Sequence, residues 1–506
     1  MFSRKCAVTA AIASAAVLGY AAVTWNREKE QEVKQARKEA SVPWSAAAAE
    51  LAIDESAVGT VLDSEVLETE KIISAPNGSK TLLVTYGARN AHGSPIKVTG
   101  LVTFPEGEAP EGGWPVLSYA HGTTGITKEA APSTAIGTHP DHEAFTLVVD
   151  SYLQTWLDKG FAVIQPDYVG LGTSGKGTYM DRHSLASSVN EMVRATRAEY
   201  GFADSWYNTG WSQGGFAAVA AASADDVATG LKKTLAIAPG DTFVPSTKVP
   251  GVAAKAMVAT IDEKNLAYAS YAIKGAMNFN KGIKADDFLS KKGKEVMDFA
   301  SRACLTTFKE ENKVTGKEIL NDHPKLTALL EHLDSNSMAH MRPTTPIYIF
   351  SSEDDEIITF SQISAAAKKL QANEGTDVTF EVRTGEGHRD MVRRALEDQA
   401  PFLPELQYFH RAVHVAGEHP AASCPRARAA GCSYLRGVGA PRLPAATPAP
   451  TRDGDVRANH AHERGGGGRG APAPAVTRRA RARGHGRLRD QEQANRRLAA
   501  RSARFA

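Results

Sequence analysis

Short apolar runs alternate with longer amphipathic stretches along the chain from about Asp63. The runs VLETEKIISA, KTLLVTYGA and IKVTGLVTFP are rich in β-forming residues and predict an opening antiparallel meander. Further on, the apolar strands WPVLSYAHG, FAVIQPDYVG and TLAIAP alternate with the predicted helices SYLQTWLDKG and HSLASSVNEMVRATRAEYG, each closed by a glycine. This alternation predicts an α/β fold, with a mostly parallel sheet flanked by helices on both faces.

The alternation stops between roughly Pro245 and Arg342. This segment is helical in pattern, rich in lysine and without a clear strand, as in KGKEVMDFASRACLTTFKEEN. The strand TPIYIFSS then resumes the sheet. We therefore predict a helical cap (lid) inserted into an α/β domain that spans residues 51–415; the alternative is an ordinary helical subdomain. No residue of the insertion stands out as catalytic.

Both ends of the chain differ from this middle part. Residues 1–25 carry Arg4 and Lys5 ahead of an uncharged, alanine-rich stretch, which predicts a signal peptide or an N-terminal membrane anchor. Residues 26–50 include NREKEQEVKQARKEAS and predict a charged, solvated spacer helix. Residues 416–506 are rich in Arg, Gly, Pro and Ala and predict a disordered tail. A basic tail of this kind could bind anionic surfaces, but we prefer to interpret its abrupt loss of lysine as translation in a shifted reading frame.

The charge distribution and the cysteine content exclude some classes of protein. The net charge is only +2, although residues 421–506 alone hold 18 arginines, no lysine and five acidic residues. The rest of the chain is consequently acidic, so we expect no nucleic-acid partner. The four cysteines, of which Cys304 lies alone in the middle, form no disulfide framework. We expect an exported protein, either extracellular or attached to the cell surface or membrane through its N-terminus.

The stretch GWSQGG places Ser212 between glycines where a strand is predicted to turn into a helix. Glycines there could mark an ordinary turn with Ser212 as a helix cap. A GxSxG stretch also fits a nucleophile held on a strained turn, with its hydroxyl exposed at the tip. The motif alone is only moderately specific, so the assignment depends on partners elsewhere in the sequence.

Two later stretches supply these partners in the order expected of such a fold, which is serine, acid and histidine. The strand PIYIFSS runs directly into EDDEIITF, which offers Asp354 and Asp355 as the acid. We favour Asp355, because two apolar residues follow where the chain must turn back to the core. The strand VTFEVR is followed by TGEGHRDM, so His388 stands between a glycine and a predicted helix as the base.

An ester-cleaving site also needs donors for the oxyanion of the tetrahedral intermediate. The stretch YAHGTTG follows an early strand, where this kind of fold supplies one backbone N–H. We predict the N–H groups of Thr123 and Gln213 as the two donors. His121 is expected to brace the loop.

The stretches AHGTTG, PDYVGLGTSG, GWSQGG, DDEIIT and GEGH, in this order, resemble the secretory lipase family of α/β-hydrolases, which includes the fungal lipase A type. The resemblance covers roughly residues 50–410. It implies hydrolysis of carboxylic esters or lipids under a helical cap, with the triad on Ser212, Asp355 and His388. The chain departs from the family at Thr359, where proline is common, and in its tail.

Other interpretations remain open. An acyltransferase or a peptidase could use the same triad, and a catalytically silent protein of this fold could act as a binding module. A metal site at THPDHEAF is not expected, because the spacing of His139, His142 and Glu143 matches no metal-binding motif. The stretch DYVGLGTSG lacks the spacing and lysine of a phosphate loop, so its glycines are turn formers and Asp167 is structural. We predict no cofactor.

Overall fold

A nine-stranded sheet organises the part of the chain that the computed structural model describes, residues 51–68 and 72–398. The strands are β1 (Val61–Leu67), β2 (Lys80–Arg89), β3 (Pro95–Phe104), β4 (Val116–Ala120), β5 (Ala162–Pro166), β6 (Trp206–Trp211), β7 (Leu231–Ile237), β8 (Ile347–Ser352) and β9 (Val378–Arg383). Their spatial order is β1-β2-β3-β5-β4-β6-β7-β8-β9. Pairing is antiparallel from β1 through β3 to β5 and parallel from β5 to β9. The antiparallel meander and the mostly parallel sheet are confirmed, but the first strand lies earlier than the predicted stretch VLETEKIISA, which shares only Val66 and Leu67 with β1.

Helices cover both faces of this sheet because alternate strand residues point to opposite sides. In β4, Val116 and Ala120 join one apolar core, whereas Leu117 and Tyr119 join the other. The first core packs against α3 (Arg182–Tyr200), α4 (Gln213–Ala222) and α12 (Phe360–Ala372). The second packs against α1 (His142–Val148), a π-helical turn (Val149–Leu153), α2 (Gln154–Asp158) and α13 (Asp390–Asp398).

The longest of these helices, α3, begins and ends at capping residues that the sequence shows. At the start of α3, the Asp181 carboxylate accepts hydrogen bonds from the N–H groups of His183 and Ser184. At its end, Gly201 adopts φ 66°, a left-handed conformation that glycine adopts at low cost. The glycine that closes this predicted helix therefore serves as its C-cap.

Seven α-helices and a short 3-10 helix (Met338–His340) lie between β7 and β8, in the segment predicted to form a cap. The α-helices are α5 (Gly251–Val258), α6 (Leu266–Phe279), α7 (Ala285–Phe288), α8 (Lys291–Ala300), α9 (Leu305–Glu311), α10 (Gly316–Ile319) and α11 (Thr327–Asn336). They enclose an apolar core of their own, to which the sheet domain contributes Ile126. We refer to residues 245–342 as the cap.

The predicted signal or anchor (1–25), spacer helix (26–50) and tail (416–506) lie outside the described residues. All described residues belong to the first of the chain's two units, Met1–Ala421. Within this part, no helix has the length and apolar character needed to cross a membrane.

Candidate active site

Ser212 lies on a strained turn between β6 and α4. Its backbone adopts φ 60° and ψ −120°, a conformation that is costly for a residue with a side chain. The surrounding hydrogen bonds hold this conformation: Ser212 N–H donates to the Ile237 carbonyl at 2.9 Å, and the Ser212 carbonyl accepts from Gly240 N–H at 3.0 Å. This conformation differs from the extended backbone that an ordinary N-cap residue adopts.

The glycines on either side of Ser212 are required by close backbone contacts. A Cβ on Gly214 would lie 1.8 Å from the Ala120 carbonyl oxygen, and one on Gly210 would lie 2.2 Å from the Gly214 oxygen. Helix α4 can therefore approach β4 only because these positions lack side chains. The motif is explained by packing of the turn as well as by chemistry.

The expectation of an exposed serine at the tip of this turn is wrong, since Ser212 is only 6% exposed. Neighbouring loops cover the turn. Gly122, in the loop after β4, lies against Trp211 and Ser212, and Gly240, after β7, bonds to the serine carbonyl.

His388 lies in the loop before α13 and is held from three sides. Its Nδ1 lies 2.8 Å from Asp355 Oδ2, and the Asp355 side chain is fully buried. The Trp211 indole N–H donates to the His388 carbonyl at 3.1 Å, and the two rings lie 5.1 Å apart. His388 N–H in turn donates to Glu356 Oε2 at 2.9 Å. The residue that precedes Ser212 is thus bonded directly to the histidine loop.

The two candidate acids occupy different environments. Asp355 Oδ1 accepts the N–H groups of Ile357 and Ile358, each at 2.8 Å, which leaves Oδ2 facing His388. Asp354 is exposed and accepts Gly385 N–H at 2.6 Å. Of the two carboxylates, Asp355 has the geometry to fix the tautomer of His388. Among the described contacts, Ser212 Oγ makes no hydrogen bond to the imidazole, as is common in hydrolases without substrate.

Thr123 and Gln213 lie on the two loops that meet at Ser212. Gln213 is the first residue of α4, and Thr123 follows Gly122, which touches the serine. Neither backbone N–H donates to a backbone carbonyl of another described residue. The Thr123 hydroxyl lies 2.7 Å from Tyr179 OH, and the Tyr179 ring packs 5.9 Å from Tyr271 of the cap. Both amides are therefore available to an anionic ligand oxygen.

His121 and Asp167 brace the loop that carries Thr123. The His121 ring stacks on Tyr168 at 4.2 Å and contacts the carbonyls of Gly122 and Asp167. Burial lowers the pKa of His121 to about 4, so the ring is neutral at pH 7. The Asp167 carboxylate accepts three hydrogen bonds, from Thr99 and from the backbone and hydroxyl of Ser133. These contacts fit the structural role expected for both residues.

His139 and Asp141 of the sheet domain contact Cys304 of the cap. The side-chain atoms of these three residues that could bind a metal ion all lie within 4.8 Å of one another. Both ring nitrogens are already engaged, since Nδ1 accepts Asp141 N–H at 3.0 Å and Nε2 lies 3.2 Å from the Glu129 carbonyl. Burial also raises the pKa of the Cys304 thiol to about 12, so it is protonated at pH 7. The three residues fit a hydrogen-bonded contact between cap and sheet domain better than a metal site.

Helix α9 of the cap begins on the loops that surround the site. Leu305 N–H donates to the Thr124 carbonyl at 2.8 Å. Thr306 donates to Asp141 Oδ1 through its N–H at 2.9 Å and its hydroxyl at 2.5 Å. No sequence pattern predicts these contacts, because each joins positions more than 150 residues apart.

Comparison with known proteins agrees with this geometry. A sequence profile of the secretory lipase family matches residues 141–398. No curated protein sequence matches the chain significantly.

Several solved structures share the fold. Candida antarctica lipase A in its closed state aligns with a TM-score of 0.57 and 16% identity, over 72% of this chain and 84% of that protein. The rice cell wall degrading esterase LipA from Xanthomonas oryzae aligns with a TM-score of 0.52 and 17% identity, over 72% of this chain and 100% of that protein. The predicted α/β-hydrolase fold is thereby confirmed.

Proposed function

The chain belongs to the secretory lipase family and acts on esters, and from this premise we propose that it is an exported serine hydrolase of carboxylic esters or lipids. In this proposal Ser212, His388 and Asp355 form the catalytic triad. One observation carries it: His388 is bonded to the buried Asp355 through its ring and to Trp211, the neighbour of the strained Ser212, through its carbonyl.

The proposed reaction has two half-reactions. His388 Nε2 accepts the Ser212 hydroxyl proton as Oγ attacks the ester carbonyl carbon, and the N–H groups of Thr123 and Gln213 stabilise the oxyanion. Collapse of the intermediate breaks the ester C–O bond, and His388 returns its proton to the leaving alcohol. Water then attacks the acyl-enzyme with His388 as base, which releases the acid and regenerates Ser212. Asp355 keeps the Nδ1 proton in place and stabilises the imidazolium.

Labelling of the purified protein with a fluorophosphonate probe tests the nucleophile. We expect wild-type protein to be labelled on Ser212 and to hydrolyse p-nitrophenyl butyrate, and Ser212→Ala to lose both activities while remaining folded. Ser223→Ala, at the other end of α4, is the matched control and should retain both. Labelling without hydrolysis, but with acyl transfer to an added alcohol, would indicate an acyltransferase. Absence of labelling would indicate a silent protein of this fold.

We further propose that the cap forms part of the acyl pocket. Tyr271 of α6 packs on Tyr179, whose hydroxyl is bonded to that of Thr123, so a cap side chain is one residue removed from a proposed oxyanion donor. Rates across p-nitrophenyl esters from acetate to palmitate would measure the preferred acyl length. Exchange of cap side chains should shift that preference, and an unchanged profile would contradict the assignment.

Export is supported by the family and by the apolar stretch within residues 1–25. Mass spectrometry of the N-terminus of the exported protein would distinguish a cleaved signal from a retained anchor.

A further inference from the structure

Lys309 of the cap lies one turn into α9, the helix that begins on the loops around Ser212. Leu305 N–H is bonded to the Thr124 carbonyl, next to the proposed oxyanion donor Thr123. Residues four apart lie on the same side of a helix, about 6 Å apart along its axis. Thr306, in the same first turn, is bonded to Asp141 of the sheet domain, and Lys309, three residues further along, lies on the same side of α9.

The ammonium of Lys309 is half-buried and lacks an acidic partner. It donates to Tyr268 OH at 2.8 Å and lies 4.7 Å from the centre of the same ring. Among the described residues no carboxylate forms an ion pair with it, whereas Lys255 and Lys294 of the same cap each pair with an aspartate. A partly desolvated cation held by an aromatic ring can still bind an anion, because two of its three donors have no described partner.

The charges around Lys309 connect it to the histidine loop. Burial lowers the pKa of Lys309, and the positive charge of Arg389, the residue after His388, lowers it further. Asp141 and Glu356 act in the opposite direction, but Asp141 is bonded to Thr306 and Glu356 to His388 N–H.

Tyr268, the hydrogen-bond partner of Lys309, is affected by nearby charges as well. Burial is the main cause that raises the pKa of its hydroxyl, and the nearby charge of Asp355 contributes in the same direction. Contacts support this link, because Asp141, to which α9 is bonded, directly precedes α1, and Glu143 of α1 lies 3.5 Å from Arg389 of the histidine loop.

We infer that Lys309, held by Tyr268, binds an anionic group of the substrate, so that the enzyme prefers esters that carry a negative charge. This inference rests on the proposed function. The charge could be a carboxylate at the far end of the acyl chain or a carboxylate on the alcohol part.

Two matched pairs of substrates distinguish these sources. Mono-p-nitrophenyl adipate against p-nitrophenyl hexanoate tests an anionic acyl chain, and 4-acetoxybenzoate against its methyl ester tests an anionic alcohol. Each kcat/KM is divided by the spontaneous rate of the same ester. We expect wild-type enzyme to favour the charged member of one pair.

Lys309→Met should lower that preference about tenfold, since a hydrogen bond between charged groups typically contributes this much. Lys309→Arg should restore most of it, and Lys313→Met, an exposed lysine just after α9, should leave it unchanged. A general packing defect would reduce turnover of both members of a pair and leave their ratio unaltered.

No preference in either pair, or a Lys309→Met ratio equal to that of the wild type, would overturn the inference while neutral ester hydrolysis upheld the proposed function. If no ester were hydrolysed and Ser212 were not labelled, the proposed function would fall and the inference with it.

Discussion

Substitution of Asp355 by asparagine isolates the role of the acid without changing the shape of the side chain. The N–H groups of Ile357 and Ile358 both point at the Oδ1 position, so the asparagine carbonyl must occupy it. The amide NH2 then takes the Oδ2 position, 2.8 Å from His388 Nδ1. Facing a donor, Nδ1 must become an acceptor, and the ring proton moves to Nε2.

The expected loss is large because this tautomer cannot accept the Ser212 proton. Turning the amide over would place NH2 against two N–H donors, which costs about 1–3 kcal/mol for each group left unsatisfied. The wrong tautomer in a serine triad costs about 10⁴ in kcat, or about 5 kcal/mol of activation free energy.

The assay is kcat for p-nitrophenyl butyrate, with the melting temperature as a check of folding. Asp354→Asn is the matched control and should retain wild-type activity, since its amide oxygen can still accept Gly385 N–H. A loss below about tenfold in folded Asp355→Asn, against the 10⁴ expected for this defect, or a greater loss in Asp354→Asn, would refute the reasoning.

Three further predictions concern the frame around the site. Gly214→Ala should abolish soluble expression or probe labelling, because its Cβ would lie 1.8 Å from a carbonyl of β4, whereas Gly137→Ala, with no atom within 4 Å, should behave as wild type. The pKa of the His121 imidazole falls from 6.5 in the unfolded chain to about 4 in the folded protein. The folded protein therefore keeps its full stability above pH 6.5, where the ring is neutral in both states, and loses stability as the pH falls from 6.5 to 4. The unfolding free energy of wild type relative to His121→Gln should drop by about 3 kcal/mol over this range in urea titrations, and an unchanged difference would contradict the assignment. Asp167→Ala should lower the unfolding free energy by about 3 kcal/mol or more, because three buried donors lose their acceptor, and an effect equal to that of the exposed Asp150→Ala would show that they find another.

The sequence could predict those features that depend on residues close together in the chain. Glycines beside Ser212 and the polar residues that follow β8 and β9 mark strand ends, and the order of the parallel strands brings those ends to one edge. The sequence could reduce the candidates for the triad acid only to Asp354 and Asp355. Neighbouring residues in a turn point their side chains in different directions, and the sequence does not show which of the two faces His388. The donors from Ile357 and Ile358 that select Asp355 depend on the conformation of that turn.

Contacts between residues far apart in the sequence could not be predicted from the sequence. Thr306 and Lys309 lie in a segment with no catalytic signature, and the contact of Thr306 and the proposed role of Lys309 follow from where α9 lies on the sheet domain. Glu356, next to the predicted acid, had no sequence signal, yet it accepts the backbone N–H of His388. The burial of Ser212 was missed for the same reason, since the loops that cover it come from distant parts of the chain.

The contact of α9 with the loops after β4 has a consequence for protein engineering. Leu305 and Thr306 donate hydrogen bonds to Thr124 and Asp141, so the cap supplies part of the scaffold that fixes the loop with the proposed donor Thr123. A cap transplanted whole from another hydrolase would remove these donors and alter turnover together with substrate range. A chimera that keeps residues 303–309 from this chain and exchanges only the helices on either side would separate the two effects, which makes α9 the natural boundary for redesign.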